Sequence, residues 1–313
     1  MLLSVIIVNH NTGSTLRECV DSLYDIEKTI EKEIIIVDNH SNNSSYNIIE
    51  SLAKKYKNIK KIYFQKLESF SYANNRGFDL SSGEYILILN PDIIFIEPVL
   101  SDLIKLLDDE STGAVCPALI GSDGKFQSIY FQRYPTVTQY ILFYTIFAKI
   151  FLKIPWLINR YLENREINIS SKKRYTVQQI PCAFFLTRRR IFQEIGMMDE
   201  NFLLFFEDMD LSYRIAHKHK LIVDTSLKVK HIGGASFKPD QSWKMYGRFI
   251  MSMNYFFDEH YNPLRSFLLK YFSFTNSIVV LLGEYIKKIF GESDPVRIQK
   301  HKRFMKLFKE YYF

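Results

Sequence analysis

Short runs of apolar residues alternate with amphipathic segments through the first ninety residues of the chain. Four runs have the length and the β-branched content of buried strands: residues 4–8, 33–37, 59–64 and 85–89. The segments between them repeat apolar side chains at helical spacing, as in Leu16, Val20 and Leu23. This alternation predicts an α/β fold with a mostly parallel central sheet, right-handed crossovers and helices on both faces.

Polar side chains follow three of these four predicted strands. Asn9 follows the first strand, Asp38 and Asn39 the second, and Asn90 and Asp92 the fourth. The carboxyl ends of parallel strands meet at one edge of a sheet, where open α/β sheets bind ligands. Each segment alone also has an ordinary explanation, because Asn, Pro and Asp form turns and cap helices. The three together favour a ligand site.

The glycine pattern limits the kind of nucleotide site. No GxGxxG or GxxxxGK[ST] motif follows any of the predicted strands, which argues against a dinucleotide fold and a P-loop enzyme. A nucleotide would then be held by side chains, with Asp38 or Asn39 at the base or ribose and a metal ion at the diphosphate.

An acidic cluster lies at a predicted helix start near residue 207. Two phenylalanines precede Glu207, Asp208 and Asp210, and a helical pattern runs from Leu211 to His219. The helix dipole favours an anion at this position, and a carboxylate kept ionised beside apolar walls is a suitable general base. An acidic first turn that only stabilises its own helix is the alternative.

The remaining pattern predicts further strands before residue 232. Expected strands are residues 113–117, 177–186, 221–224 and 228–231, with a run at 126–131 after a polar turn. His231 ends the last strand and is followed by Gly233 and Gly234, which permit close backbone approach. His231 is therefore a candidate ligand, although a lone histidine is usually structural.

Aromatic-rich helical patterns fill the rest of the chain. A long helix is expected over 140–162, interrupted at Pro155, with an apolar face that packs in a core, meets a partner or lies on a membrane. After residue 240 the pattern is basic and helical, over 245–257, 264–272, 278–289 and 297–313. We expect a first domain over 1–240 and a helical extension over 241–313.

Composition and charge limit the possible binding partners and the cellular compartment. The chain has 313 residues, 47% hydrophobic content, a net charge of +7 and a pI near 9.0, which suits a phosphorylated substrate, anionic lipid or nucleic acid. Its three cysteines form no CxxC pair, so a reducing, cytoplasmic setting is expected. Neither uncharged run, 134–148 or 271–283, reaches the roughly 20 residues of a spanning helix. No basic leader precedes the first apolar run.

In the order and spacing of its motifs the chain resembles inverting glycosyltransferases of family 2, which have a GT-A fold, and within them the rhamnosyltransferase-like subgroup. The resemblance covers most of residues 3–236. It rests on SVIIVNHN, IIIVDNHS, FSYANNRGFDLSSGEYILILNPD, MMDENFLLFFEDMDLSYR and HIGGAS.

The resemblance implies a role for each matching residue. Asn90-Pro91-Asp92 takes the DxD position, with Asp92 and His231 as ligands of Mg²⁺ or Mn²⁺. Glu207-Asp208 matches the ED motif, with Asp208 as the base. The residues implied to contact the nucleotide sugar are Asn9, Asp38, Asn39, Asn75, Gly77 and Asn90. Asn75 and Gly77 are expected at a turn flanking the donor.

The expected function is metal-dependent, inverting transfer of a sugar from a nucleotide diphosphate donor to a glycan or lipid-linked acceptor in cell-surface polysaccharide synthesis. dTDP-rhamnose is favoured by the subgroup, and UDP-hexoses remain open. Peripheral contact with anionic membrane is expected at the basic C-terminus, which places the protein at the inner face of the cell membrane. A non-catalytic module that binds a nucleotide sugar or a glycan is the alternative. Nucleic-acid binding is disfavoured because no recognition motif accompanies the charge.

Overall fold

A computed structural model describes residues 2–127, 133–156, 158–159, 173–233 and 242–313. The chain divides into two compact units. The first comprises residues 1–133, 166–200 and 207–236, and the second comprises 134–165, 201–206 and 237–313. The second unit therefore contains two segments that lie before the expected boundary at residue 240.

A single mixed sheet forms the centre of the first unit. Within the described residues it has nine strands: β1 Leu3–Asn9, β2 Lys32–Asp38, β3 Ile59–Tyr63, β4 Tyr85–Leu89, β5 Ile93–Phe95, β6 Thr112–Ile120, β7 Arg174–Val177, β8 Phe184–Arg188 and β9 Lys220–His231. The strand order is β3-β2-β1-β4-β8-β6-β9-β5, and β7 pairs with β9.

Helices cover the sheet. They are α1 Gly13–Ile26, α2 Ser45–Lys55, α3 Phe70–Leu80, α4 Leu100–Leu106, α7 Arg189–Glu194 and α8 Glu207–Ala216. Strands β1, β2 and β4 are buried along their whole length, as expected for strands covered on both faces. The predicted α/β fold is confirmed.

The direction of the strands changes halfway across the sheet. β3, β2, β1 and β4 run parallel, as the first ninety residues predict. β8 then pairs antiparallel with both β4 and β6, while β6 and β9 are parallel to each other. The sheet is therefore mixed, and the residues after β4 sit at the change of direction.

Three strand predictions after residue 90 need correction. The expected strand 177–186 is two strands, because residues 178–183 leave the ladder. Within them, Ile180 N donates to Ser212 Oγ at 3.0 Å, and Pro181 has no N–H to donate. The expected strands 221–224 and 228–231 are one strand, β9, which accommodates its polar middle with a register shift opposite Pro117 and Ala118. The three-residue strand β5 was missed. Most of the run 126–131 lies outside the described residues.

The second unit is helical. Its helices are α5 Val137–Tyr144, α6 Ala148–Phe151, α9 Ser242–His260, α10 Pro263–Ile289 and α11 Pro295–Tyr312. The helix expected over 140–162 ends at Tyr144, because the backbone N–H of Ile146, two residues further on, donates to the side chain of Asn276 at 2.9 Å and not to a helix carbonyl. Its predicted end, at 160–162, lies outside the described residues.

The two helices expected at 264–272 and 278–289 are a single helix, α10. It begins with an N-cap at Asn262, whose side chain accepts from Arg265 N at 2.9 Å. Among the described residues, α10 alone is long and apolar enough to cross a membrane. The uncharged run 271–283 is shorter than a membrane-spanning helix, but α10 also includes apolar turns on either side of that run. The sequence analysis did not count those turns.

Candidate active site

Asp92 and His231 meet at the edge of the sheet where β4 ends. Asp92 lies between β4 and β5, and β5 pairs with β9 so that Ile93 is opposite His231. This register brings Asp92 Oδ1 to 3.5 Å from His231 Nε2, with both side chains buried. The other carboxylate oxygen accepts from Gly233 N at 3.1 Å. The antiparallel pairing therefore joins two residues that are 139 positions apart in the sequence.

Gln127 orients the imidazole of His231. Its side-chain Nε2 donates to the backbone oxygen of His231 at 3.1 Å, so its Oε1 faces His231 Nδ1 at 2.7 Å. An amide oxygen only accepts, so in the neutral ring Nδ1 carries the proton. The lone pair of Nε2 then faces Asp92. Such outer hydrogen bonds are the usual means by which proteins fix a metal-binding histidine.

The Asp92–His231 pair fits a divalent cation that is shared with a substrate. A carboxylate oxygen and an imidazole lone pair that face each other attract a cation, and together they suit Mg²⁺ or Mn²⁺. No group of three or more His, Cys, Asp and Glu with metal-binding geometry occurs in the part of the chain that the structure describes. Mg²⁺ commonly binds through one or two protein ligands and takes the rest from phosphate and water.

A second acidic site lies at the start of α8. Asp208 Oδ2 accepts from Gln179 Nε2 at 3.0 Å, and Oδ1 accepts from Met209 N at 2.8 Å. Burial nevertheless raises the pKa of Asp208 to about 6, while these hydrogen bonds oppose the rise. Asp208 is thus ionised at neutral pH and remains basic enough to accept a proton.

Glu207 differs from its neighbour. Burial raises its pKa to about 8, and the negative charge of Asp208 adds to the rise. Its Oε2 is buried without a hydrogen-bond partner. The protonated form of Glu207 therefore prevails at neutral pH, and the pair carries about one negative charge.

The segment 179–183 connects the acidic pair with the end of β4. Gln179 contacts Asp208, while the backbone oxygen of Ala183 accepts from Asn90 N at 3.0 Å. Burial raises the pKa of the Cys182 thiol, and the negative charge of Asp208 raises it further. Asn90 and the acidic pair therefore border the same five-residue segment.

The polar residues after β1 and β2 form one hydrogen-bonded cluster. Asp38 Oδ1 accepts from Asn9 Nδ2 at 2.7 Å and from Ser41 Oγ at 2.6 Å. Asn39 exchanges two hydrogen bonds with the backbone of Glu68, at 2.9 and 3.0 Å. The structure thus brings Asn9, Asp38 and Asn39 together, as their positions at neighbouring strand ends predict.

Asn75 and Gly77 lie inside helix α3, not at a turn as the resemblance implied. The Asn75 side chain donates to the backbone oxygen of Met198 at 2.8 Å and accepts from Met198 N at 3.1 Å. Gly77 faces the sheet, where an added Cβ would lie 2.5 Å from Ile6 Cγ2. These contacts give Asn75 a part in supporting the 198–200 loop and Gly77 a part in helix–sheet packing, while their implied contact with the nucleotide sugar stays a prediction.

Sequence reasoning missed three polar residues of the site: Gln127, Gln179 and Ser41. Gln127 and Gln179 belong to no motif, and their roles depend on pairing with His231 and Asp208 far along the chain. Ser41 was detectable, because it closes a turn on Asp38 three residues earlier. Gly234, Ala235 and Ser236, at the end of the quoted HIGGAS motif, lie outside the described residues.

Comparison with known proteins identifies a family and several relatives for part of the chain. Residues 4–196 match the family described as glycosyl transferase family 2. Glycosyltransferase GlyG of Streptococcus pneumoniae serotype 4 is 27% identical over 131 residues, 42% of this chain and 43% of GlyG. Poly(ribitol-phosphate) beta-N-acetylglucosaminyltransferase TarP of Staphylococcus aureus is 29% identical over 131 residues, 40% of this chain and 38% of TarP. These matches span less than half the length of either relative.

Solved structures confirm the fold. Mannosyltransferase PcManGT from Pyrobaculum calidifontis, in complex with GDP-Man and Mn²⁺, superposes with a TM-score of 0.55 at 12% identity, over 99% of this chain and 87% of PcManGT. GalNAc-T7 with UDP, GalNAc and Mn²⁺ gives a TM-score of 0.56 at 16% identity, over 82% of this chain and 50% of GalNAc-T7. The mixed sheet and its helices match GT-A glycosyltransferase structures.

Proposed function

Because the chain belongs to glycosyl transferase family 2, we propose that it transfers a sugar from a nucleotide diphosphate sugar to a hydroxyl group of a glycan or lipid-linked acceptor. The observation that carries the proposal is the meeting of Asp92 and His231, 3.5 Å apart, where β4 ends. Two buried ligands at this edge of an α/β sheet suit a cation that is shared with a diphosphate.

Asp92 and His231 are the proposed metal ligands. They would hold Mg²⁺ or Mn²⁺, which would supply the positive charge that stabilises a departing diphosphate. The hydrogen bond from Nδ1 to Gln127 keeps the Nε2 lone pair directed toward Asp92, and Gly233 N holds the other oxygen of that carboxylate. Asn90, Asn9, Asp38 and Asn39 are proposed to contact the nucleotide sugar.

Asp208 is the proposed general base. Its carboxylate takes the proton of the acceptor hydroxyl as the oxygen forms a bond to the anomeric carbon and the bond to the diphosphate breaks. A single displacement of this kind inverts the anomeric configuration. The proposed part of Glu207 is electrostatic, because a neutral neighbour leaves the pKa of Asp208 lower than a second anion would.

The proposed donors are dTDP-rhamnose, from the subgroup resemblance, and UDP-hexoses. The proposed process is cell-surface polysaccharide synthesis at the inner face of the cell membrane. Two bacterial relatives support the polysaccharide part of this proposal, since TarP and a Bacillus spizizenii protein, 34% identical over 96 residues, are both described as poly(ribitol-phosphate) glycosyltransferases.

A donor panel tests the proposal. Purified protein is mixed with UDP-, dTDP- and GDP-sugars, with Mn²⁺ or with EDTA, and release of the nucleoside diphosphate is measured. We expect release that needs the metal, that falls at least about 100-fold in Asp208→Asn and Asp92→Ala, and that is unchanged in the exposed control Asp102→Asn.

Tight binding of a donor with no release in any acceptor extract would overturn the enzymatic proposal in favour of a binding module. Product anomers, assigned by NMR coupling constants, separate inversion from retention. Retention would remove the role given to Asp208.

A further inference from the structure

Helix α10, Pro263–Ile289, has the reverse of the usual distribution of side chains. Its buried face contains five polar residues and two large apolar ones: Ser266, Ser273, Asn276, Ser277, Glu284, Leu269 and Val280. Its exposed face contains nine large apolar residues: Leu264, Phe267, Tyr271, Ile278, Val279, Leu282, Tyr285, Ile286 and Ile289. Helices of water-soluble domains bury the apolar stripe and expose the polar one.

The buried face is occupied by other helices of the same unit. Ser277 Oγ lies 3.0 Å from His301 Nδ1 of α11, and Glu284 pairs with Arg297 of α11 at 3.2 Å. Small serine side chains let helices approach closely, as they do in membrane proteins. The exposed apolar stripe is therefore the face that this helical unit leaves uncovered.

A second apolar segment adjoins the middle of α10. Asn276 accepts from Ile146 N at 2.9 Å and donates to the backbone oxygen of Tyr144 at 3.5 Å. The chain after this junction exposes Phe147, Ile150, Leu152 and Trp156, of which Trp156 is 66% exposed. An exposed apolar surface of this extent marks an interaction site.

Exposed basic side chains lie at several points along the borders of this surface. Arg265 and Lys288 lie near the two ends of the stripe, and Lys149 and Lys153 lie on the adjoining segment, all exposed. The only acidic residue of α10, Glu284, is buried and paired with Lys287 and Arg297. Such a border complements an anionic lipid surface.

We propose that the exposed face of α10, together with residues 146–156, inserts in the plane of an anionic lipid bilayer. A transmembrane orientation of α10 is disfavoured, because α11 lies antiparallel beside it from Glu284 to Lys270. Spanning would carry the exposed Lys302, Lys306 and Lys309 of α11 through the hydrocarbon at high cost. This inference rests on the proposed function, which places the protein at the membrane, and it identifies the protein surface that contacts the lipid.

The proposed lipid contact is on α10 and residues 146–156, whereas the sequence analysis expects it at the basic C-terminus. The apolar residues Phe304 and Phe308 of α11 are buried, and Tyr312 donates to Asp258 at 2.8 Å. Deleting residues 297–313 would therefore damage the unit, and exposed substitutions on α10 make the sharper test.

Vesicle flotation of the full chain tests the inference. The variant replaces Leu282, Ile286 and Ile289 with glutamine, and the matched control replaces Leu67, Leu80 and Ile96, exposed apolar residues of the first unit, with glutamine. We expect wild type and control to float with phosphatidylglycerol-containing vesicles, more weakly in 0.5 M salt, and the α10 variant to bind at least about tenfold more weakly.

Three results would overturn the inference. The first is equal flotation of the α10 variant and the control. The second is a soluble wild-type dimer that does not float and that the α10 variant converts to monomer, which assigns the face to a second copy. The third is resistance of the wild type to alkaline carbonate extraction from vesicles, which indicates spanning. Flotation needs no donor or acceptor, so its failure is distinct from failure of the proposed transferase activity.

Discussion

Single side chains set the protonation chemistry of the candidate site. Asp208 and Glu207 are neighbours on the first turn of α8, yet hydrogen bonds from Gln179 and Met209 N hold only Asp208 in its ionised form at neutral pH. Their different environments separate the two carboxyl groups into a base and a neutral acid.

The pH dependence of transfer should report on Asp208. Since only the carboxylate accepts a proton, kcat/KM is expected to rise about tenfold per pH unit below about pH 6 and to level off above it. Gln179→Ala removes a hydrogen bond to the anion, so the midpoint should move to higher pH. The measurement is a set of pH–rate profiles at saturating Mn²⁺. An unchanged midpoint in Gln179→Ala would assign the titration to another group.

Gln127 is expected to act on metal affinity through His231. Gln127→Ala frees the ring to rotate, so the affinity for Mn²⁺ in the presence of nucleoside diphosphate should fall about 10- to 100-fold. Titration of free Mn²⁺ by electron paramagnetic resonance measures this without turnover. Gln193→Ala, an exposed change on α7, is the control. Equal affinity in both variants would show that the hydrogen bond to Nδ1 does not orient the ring.

Helices and strands, rather than motif residues alone, determine where the candidate side chains lie. Asp92 meets His231 because β5 pairs with β9, and Asn9 meets Asp38 because β1 and β2 end at the same level. Gly77 also acts through the packing of these elements, since its lack of a side chain lets α3 approach Ile6 of β1.

Two glycine substitutions should separate packing from ligand binding. Gly77→Ala places a Cβ against Ile6 and should destabilise the protein by about 1–3 kcal/mol, with the KM for the donor unchanged. Gly283→Ala meets no atom within 4 Å in helix α10 and should be neutral or stabilising by up to about 1 kcal/mol. Thermal unfolding and donor kinetics check both. A raised KM without loss of stability in Gly77→Ala would support a donor contact instead.

The stability of the molecule should depend on pH through the acidic pair. The folded-state pKa values, about 8 for Glu207 and about 6 for Asp208, lie above the ordinary values of 4.5 and 3.8. The folded state therefore binds more protons than the unfolded state between about pH 4 and pH 8. The contribution of this pair to the free energy of unfolding is full at the acidic end of that window and decreases as the pH rises.

Glu207→Gln isolates that contribution. The difference in unfolding free energy between variant and wild type should be near zero at pH 4 and should reach about 4 kcal/mol in favour of the variant at pH 8. Urea denaturation at a series of pH values, followed by a probe in the first unit, measures it. A difference that does not change with pH would mean that Glu207 is ionised in the folded protein.

The sequence by itself determined the α/β class, the parallel half of the sheet and the chemistry of the strand ends. Those features are local. A buried strand is a continuous apolar run, and a polar residue directly after the run marks the strand end. The helix start at Glu207 and the strand end at His231 were predictable for the same reason.

Only the tertiary structure decided how those pieces meet. Periodicity within one strand does not indicate its partner, so the antiparallel pairing of β8, the strand β5 and the roles of Gln127 and Gln179 stayed hidden. The apolar period of α10 was visible, but which of its faces other helices cover depends on contacts with residues far along the chain. Burial is a property of the folded molecule, and a linear pattern reports only what is available to be buried.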